Sequence, residues 1–364
     1  MKTAIILGTR PEIIKCSPII REYERLRLDY LILHTGQHYS YNMDKVFFEQ
    51  LQLPSAKHNL DIGSGPHGKQ TGAMLSGIEE ILQKENPNVV LIQGDTNTVL
   101  AGAIAATKLG IKVGHVEAGL RSFDHSMPEE TNRVVADHCS DVLFAPTEKA
   151  KQNLLHEGIE EGSVFVVGNT VVDAVHQNME IAKLKTRILK HLRIEHGNYV
   201  LATAHRQENV DNKQRLSGIV EGLKRVQTEF QTPLIYPVHP RAKKQLETFG
   251  INTGQIQLIE PLDYLSFLQL ESKAQLVLTD SGGVQEETCI LQVPCVTLRD
   301  NTERPETLQV GSNVLSGTDP EKILEAARAS CSKKKKWTNP FGDGKTGKRI
   351  VGILIKEAKE TKRS

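Results

Sequence analysis

Three carboxylates stand at turn-like positions: Asp95 in QGDTNTV, Glu117 in HVEAGLRS and Glu129 in MPEETNR. Each alone reads as a helix cap or an ion-pair partner. Asp95 precedes a helical stretch, and Glu129 sits at a helix start, the end that favours anions. Together they suggest acid and base work, because neighbouring, partly buried carboxylates have pKa values pushed apart and supply a proton donor and an acceptor in one site. GTRPEIIK (8–15) adds two cations, Arg10 in the loop and Lys15 just over a turn into a helix that Pro11 would open. Beside backbone donors they suit a diphosphate that gains charge as it leaves. The plainer reading is a capped helix with surface cations.

A second cluster follows in LTDSGGVQEE (278–287). Ser281, Gly282 and Gly283 follow an apolar run and open a helix, where N–H groups and the positive dipole end point at an anion. Glu286 and Glu287 come one turn later, where their charge should repel it. A nucleoside diphosphate joined to a sugar resolves the conflict: the Ser-Gly-Gly turn cradles the diphosphate, and Glu287 faces away to accept from two sugar hydroxyls, as carboxylates do for a ribose diol in nucleotide-binding folds. Arg304 in RDNTERPE (299–306) is a further candidate contact. His205 in HRQEN (205–209) either caps a helix or joins the core, or it donates to phosphate and moves a proton near neutral pH.

Short apolar runs must position these groups. TAIILG, YLILHT, VVLIQG, VGHVE, DVLFAP and VFVVGN alternate with amphipathic helical stretches up to residue 169. The pattern weakens through AKLKTRILKHLRIEHGN (182–198) and resumes with YVLATAH, LIYPVH, IQLIEP, AQLVLTD and PCVTLRD. Such alternation implies parallel sheets with right-handed crossovers. Arg10, Asp95, Glu117, His205, His239 and Ser281-Gly282-Gly283 all sit just after a strand, as expected for a ligand bound at the carboxyl ends of the strands, in a cleft between two α/β halves. The expected organisation is an N-terminal domain over 1–170, a second over 171–345 and a terminal helix over 346–364.

The 364 residues, 38% hydrophobic and 24% charged, describe an ordinary globular chain of two domains. With 45 basic and 44 acidic residues, a net charge of +1 gives no global field to recruit nucleic acid or an anionic membrane. The N-terminus reads as a first strand rather than a signal peptide, and no apolar run approaches the ~20 residues of a membrane span. Five cysteines without a C-x-x-C pair read as buried thiols in a reducing cytoplasm. They suggest neither a zinc site nor a disulfide framework. GDGKTGK (342–348) ends like a phosphate loop but lacks the earlier glycine and a preceding strand, so it reads as a turn before the last helix. The lysine run 333–336 reads as solvated surface. No G-x-G-x-x-G follows the first strand, which argues against a nicotinamide dehydrogenase.

GTRPEIIK, QGDTNTV, HVEAGLRS, PEETNR, the HRQEN loop, DSGGVQEE and RDNTERPE, in this order and spacing, resemble the non-hydrolysing UDP-N-acetylglucosamine 2-epimerases, over residues 1 to about 350. The resemblance implies two Rossmann-like domains of the glycosyltransferase-B type facing across a cleft, a terminal helix packed back on the first domain, and a homodimer. It implies interconversion of UDP-N-acetylglucosamine and UDP-N-acetylmannosamine without metal or nicotinamide, by elimination of UDP to 2-acetamidoglucal and re-addition. Arg10, Lys15, His205, Ser281, Gly282, Gly283, Glu287 and Arg304 match the family's UDP-binding positions. Asp95, Glu117 and Glu129 match its catalytic carboxylates, with no assignment of which removes the proton and which returns it. Phe267 is expected against the uracil; Leu262 stands where some relatives carry a polar residue. Gln70 and His239 are expected where a second, activating substrate molecule would bind. The expected role is to supply N-acetylmannosamine-type sugars to surface polysaccharide or glycan synthesis. The rival readings are a glycosyltransferase of the same fold, a 2-epimerase acting on a modified UDP-sugar, a hydrolysing epimerase that releases free N-acetylmannosamine, and a non-catalytic nucleotide-sugar sensor.

Overall fold

The computed structural model describes residues 1–37, 41–332 and 336–360. The lysine run therefore lies outside the described residues except for Lys336, which is exposed. The chain forms two α/β units, Met1–His176 with Phe341–Ser364, and Gln177–Pro340.

In the first unit β1 (Thr3–Leu7), β2 (Tyr30–His34), β3 (His58–Asn59), β4 (Val89–Gln93), β5 (Lys112–Val116), β6 (Val142–Ala145) and β7 (Val164–Val166) make a parallel sheet of order β3-β2-β1-β4-β5-β6-β7. Helices cover both faces, so β1 and β4 are buried at every position and are apolar throughout except for Thr3 and Gln93 at their ends. On one face Ala4, Ile6, Leu31, Val90 and Ile92 pack with Met74, Val99 and Ala103 from the helices His67–Glu85 and Asn97–Lys108. Gly8 ends β1 where no side chain fits: a Cβ there would lie 2.1 Å from Thr35 Oγ1 and 2.3 Å from Thr98 Oγ1.

The second unit repeats the plan with β8 (Val200–Thr203), β9 (Leu234–Pro237), β10 (Gln257–Ile259), β11 (Leu276–Thr279), β12 (Cys295–Thr297) and β13 (Asn313–Leu315). Its order is β10-β9-β8-β11-β12-β13, again parallel. Six strands of each sheet thus follow the order 3-2-1-4-5-6 of dinucleotide-binding folds. The strands end one to three residues earlier than the apolar runs suggest, because the final residues of each run leave the sheet as loops. β3 and β13 go unmarked by hydropathy; β3 is a two-residue strand of His and Asn.

The stretch over which the sequence pattern weakens is largely helical, Thr170–Lys185 and Ile188–Leu192, and the division between units falls inside the first of these. The last helix, Thr346–Glu360, belongs to the first unit and packs on helix Arg10–Leu26, where a Cβ on Gly347 would touch Pro18 at 3.0 Å. At its start Asp173 accepts from the backbone N–H of Thr346 (3.1 Å) and Gly347 (3.0 Å). A protein carboxylate therefore fills the place that GKT would offer to a phosphate.

Candidate functional site

In each sheet the order reverses between its first and fourth strands, and the loops that leave those strands diverge to opposite faces, opening a crevice. In the first unit that crevice is a cavity of about 270 Å³. It is lined by Thr9, Glu12 and Lys15 after β1, Gly94, Asp95 and Thr96 after β4, and Glu117 after β5.

Glu117 is buried and adopts φ 69°, a left-handed conformation that costs a non-glycine residue of order 1–3 kcal/mol and persists only when its surroundings enforce it. Lys15 Nζ lies 2.7 and 3.0 Å from its two carboxylate oxygens, and Gln93 Nε2 donates to Oε2 at 2.7 Å. Lys15 therefore grips a carboxylate inside the same pocket. Arg10 is the first residue of its helix rather than a loop residue, and its guanidinium stacks 5.6 Å from the ring centre of Phe47.

Asp95 forms an ion pair with Arg133, whose other nitrogen reaches Glu130 at 2.7 Å. Glu130 is buried, accepting also from Ser122 N, Ser122 Oγ and Phe123 N, while Glu129 beside it is exposed. Glu129 does not line the cavity. It lies three and four residues before Asn132 and Arg133, on the helix face whose side chains reach the Asp95 loop: Asn132 Nδ2 donates to Asp95 O at 2.9 Å.

Two buried networks brace these loops. Glu12 Oε2 accepts from Gly8 N (2.7 Å), Thr9 N (2.8 Å) and Thr9 Oγ1 (3.1 Å), and Oε1 accepts from Thr96 Oγ1 at 2.5 Å. Burial outweighs these donors and pushes the Glu12 carboxyl up to about 7. His115 bonds Asp137 through Nδ1 (2.7 Å) and Gly94 O through Nε2 (2.8 Å). Burial alone would lower its pKa, but the Asp137 carboxylate prevails and the imidazole is raised above its ordinary value. In that doubly protonated form both ring nitrogens donate, clamping the peptide just before Asp95. Gln70 is likewise committed inside the protein: its amide donates to Gln37 O and Gly63 O and accepts from Asn97 Nδ2.

The second unit assembles its cluster at the matching point, between the ends of β8 and β11. Asp280, fully buried, accepts from the backbone N–H of His205 and Arg206 and from Asn209 Nδ2, tying HRQEN to DSGG. Ser281 N-caps helix Gly282–Ile290 without a side-chain capping bond, and a Cβ on Gly282 would find nothing nearer than Glu303 Oε2 at 3.9 Å. The helix end is thus sterically open. Glu286 does not repel an incoming anion unaided, because Arg304 Nε lies 2.8 Å from its Oε1. Glu287 turns towards Glu271 and Tyr264. Glu303, 2.9 and 3.0 Å from the Arg299 guanidinium, is held down to about 2 by that bond, against the opposing effect of burial. Phe267 and Leu262 pack on an apolar cluster that includes Val284 of the Ser-Gly-Gly helix. His239 caps helix Pro240–Thr248, accepting from Arg241 N at 3.2 Å, and burial followed by His205 lowers its pKa.

Sequence reasoning passed over Glu12, Gln93, His115, Arg133 and Glu271. Only Glu12 carries a local signal, as the fourth residue of a Thr-x-x-Glu capping box. Among the described residues no three His, Cys, Asp or Glu side chains converge to hold a metal ion.

Two parallel sheets of dinucleotide-binding order, with a carboxylate-lined crevice at one reversal point and an open helix end at the other, define a double-Rossmann α/β protein of the glycosyltransferase-B type. The family model described as UDP-N-acetylglucosamine 2-epimerase matches residues 21–355, and the chain belongs to that family. A UDP-N-acetylglucosamine 2-epimerase of Methanocaldococcus jannaschii is 58% identical over 97% of this chain and 99% of its own. The crystal structure of that organism's UDP-GlcNAc 2-epimerase in complex with UDP-GlcNAc and UDP superposes with a TM-score of 0.87 at 59% identity, covering 98% of this chain and 99% of the other. A UDP-2,3-diacetamido-2,3-dideoxy-D-glucuronate 2-epimerase of Pseudomonas aeruginosa is 42% identical over 98% of this chain and all of its own.

Proposed function

We infer that this protein is an isomerase that interconverts UDP-N-acetylglucosamine and UDP-N-acetylmannosamine at carbon 2. The carrying observation is the pocket that joins Asp95 and Glu117 at a sheet reversal point, in a chain so similar along its length to an enzyme of that name. Carbon 2 has no adjacent carbonyl, so its proton is not acidic enough for simple abstraction. The proton leaves as the C1–O bond to UDP breaks, giving the C1–C2 double bond of 2-acetamidoglucal. UDP then re-adds at carbon 1 while a proton returns to the opposite face of carbon 2.

In this reading Asp95, Glu117 and Glu129 handle the carbon 2 proton, with His205 beside the departing phosphate. Ser281, Gly282 and Gly283 hold the diphosphate through backbone N–H groups, supported by Arg10, Lys15 and Arg304. Glu287 takes the ribose and Phe267 the uracil. A second, activating substrate molecule would act through Gln70 and His239 by shifting the loops they hold. The protein works as a cytoplasmic homodimer supplying N-acetylmannosamine-type sugars to surface polysaccharide or glycan synthesis. Two features are consistent with this: no helix among the described residues is long and apolar enough to cross a membrane, and the five cysteines lack C-x-x-C spacing. The diacetamido-glucuronate relative supports a second reading, the same chemistry on a modified sugar.

The test is incubation of purified protein with UDP-N-acetylglucosamine, followed by anion-exchange separation. A second UDP-N-acetylhexosamine peak at constant total nucleotide sugar supports the proposal. Free UDP with N-acetylmannosamine points to the hydrolysing class, and turnover confined to the diacetamido-glucuronate nucleotide moves the assignment to that sugar.

A further inference from the structure

Glu271 lies in the last turn of helix Tyr264–Ser272 and is fully buried. Its carboxyl group meets that of Glu287, on helix Gly282–Ile290, at hydrogen-bonding range. No other N–H or O–H among the described residues reaches either Glu271 oxygen. Among the described residues no cation acts on Glu271. The Tyr264 hydroxyl contacts Glu287 and Asn178, the Tyr199 hydroxyl donates to Leu270 O, and the Cys295 thiol is buried. Two ionised carboxylates offer each other only lone pairs, so a contact in which no cation or other donor reaches Glu271 requires a proton. Burial first and Glu287 second push the Glu271 carboxyl well above the usual carboxylate range. Glu287 is the more exposed partner, at 9% against 0%, so it is the one that keeps the charge.

We propose that Glu271 is a carboxylic acid at neutral pH whose O–H donates to Glu287, making it the positioning residue that aims Glu287's charged oxygen at the ribose diol of the bound nucleotide. The proposal rests on the assignment of Glu287 to the ribose. A diol offers two O–H donors and needs an acceptor of fixed direction. A carboxylate on one helix, anchored by a donor on another, supplies it. When the shared proton is lost, the two charges repel and Glu287 turns away.

The test compares wild type with Glu271→Gln, whose amide N–H donates at every pH, and with Glu271→Leu, which has no donor. UDP and 2′-deoxy-UDP affinities are measured by calorimetry from pH 6 to 9, and nucleotide-free thermal midpoints over the same range. Glu271→Gln should bind UDP like wild type at pH 6. Above the pair's titration wild type should weaken relative to Glu271→Gln, approaching about tenfold per pH unit. Glu271→Leu should lose the preference for UDP over 2′-deoxy-UDP. The raised carboxyl binds a proton that the unfolded chain releases, so its stabilising effect is present at low pH and lost as pH rises through its folded value. The wild-type midpoint should accordingly fall against that of Glu271→Gln. Parallel curves in both measurements overturn the proposal. Diverging midpoints with a flat affinity ratio leave the shared proton standing and overturn the positioning role, along with the ribose assignment of Glu287.

Discussion

Replacing Glu12 by glutamine should change how the stability of the first unit depends on pH, while leaving its packing intact. The carboxyl group is buried under the β1–α loop and raised from 4.5 to about 7 by that burial, despite its bonds from Gly8, Thr9 and Thr96. Between those values the folded protein holds a proton that the unfolded chain has released. Stability from this group is therefore complete below about 4.5 and lost as pH rises through 7. At about 1.4 kcal/mol per pH unit, roughly 2.5 units amount to about 3 kcal/mol. Glutamine does not titrate. Its oxygen can still accept from the Gly8 and Thr9 N–H groups, and its amide can donate to Thr96. The stability difference between variant and wild type should shift in the variant's favour by about 3 kcal/mol between pH 4.5 and 8. Glu12→Ala, which does not titrate either, should lie about 2–4 kcal/mol below Glu12→Gln at every pH, because two backbone donors lose their acceptor. Trp337, the single tryptophan, lies in the other unit and reports on the wrong core. Amide hydrogen exchange of Ala4 to Leu7, corrected for intrinsic rates, is the suitable assay. Parallel pH profiles for Glu12→Gln and wild type would refute the reasoning.

Asp95→Asn should bind UDP within a few-fold of wild type and lose about 10²–10⁴ in turnover, since it removes a proton-transfer group rather than a binding contact; calorimetry beside initial rates distinguishes the two. His115→Gln should cost about 3 kcal/mol by weakening the buried pair with Asp137, and should lower kcat by releasing Gly94 O. Because the imidazole pKa is raised from 6.5, that penalty is complete below pH 6.5 and shrinks as pH rises through the raised value, which urea midpoints at several pH values would follow. Gly282→Val should keep the wild-type melting temperature, given the open space around its Cβ, yet weaken UDP binding by roughly tenfold or more by covering the helix end.

The alternation of apolar runs with helical stretches was enough to read two α/β halves, and most strands lie inside those runs. β3 escaped because two polar residues pair only when β2 is already in place. The strand order is likewise absent from hydropathy, although it is what brings the Gly8 and Gly94 loops together. Strand-end position makes Asp95 and Glu117, which line the first unit's cavity, legible in the sequence. Their partners are not: Lys15 reaches Glu117 across 102 positions, and Arg133 reaches Asp95 across 38. The charge of Lys15 is visible in the sequence, and its pairing with the Glu117 carboxylate is not. PEE showed two acids at a helix start without revealing that Glu130 turns inward and Glu129 outward. Glu271 gave no warning, since an acid at the end of an apolar helix normally reaches solvent.

The central claim is that Asp95 and Glu117 serve a reaction that breaks and remakes the bond from carbon 2 to hydrogen. Proton NMR of the purified protein with UDP-N-acetylglucosamine in deuterated water, without added metal or nicotinamide, tests it most directly. The account predicts a new UDP-sugar anomeric signal, with deuterium entering at carbon 2 as it grows. Epimerisation with the original hydrogen retained at carbon 2 would contradict it.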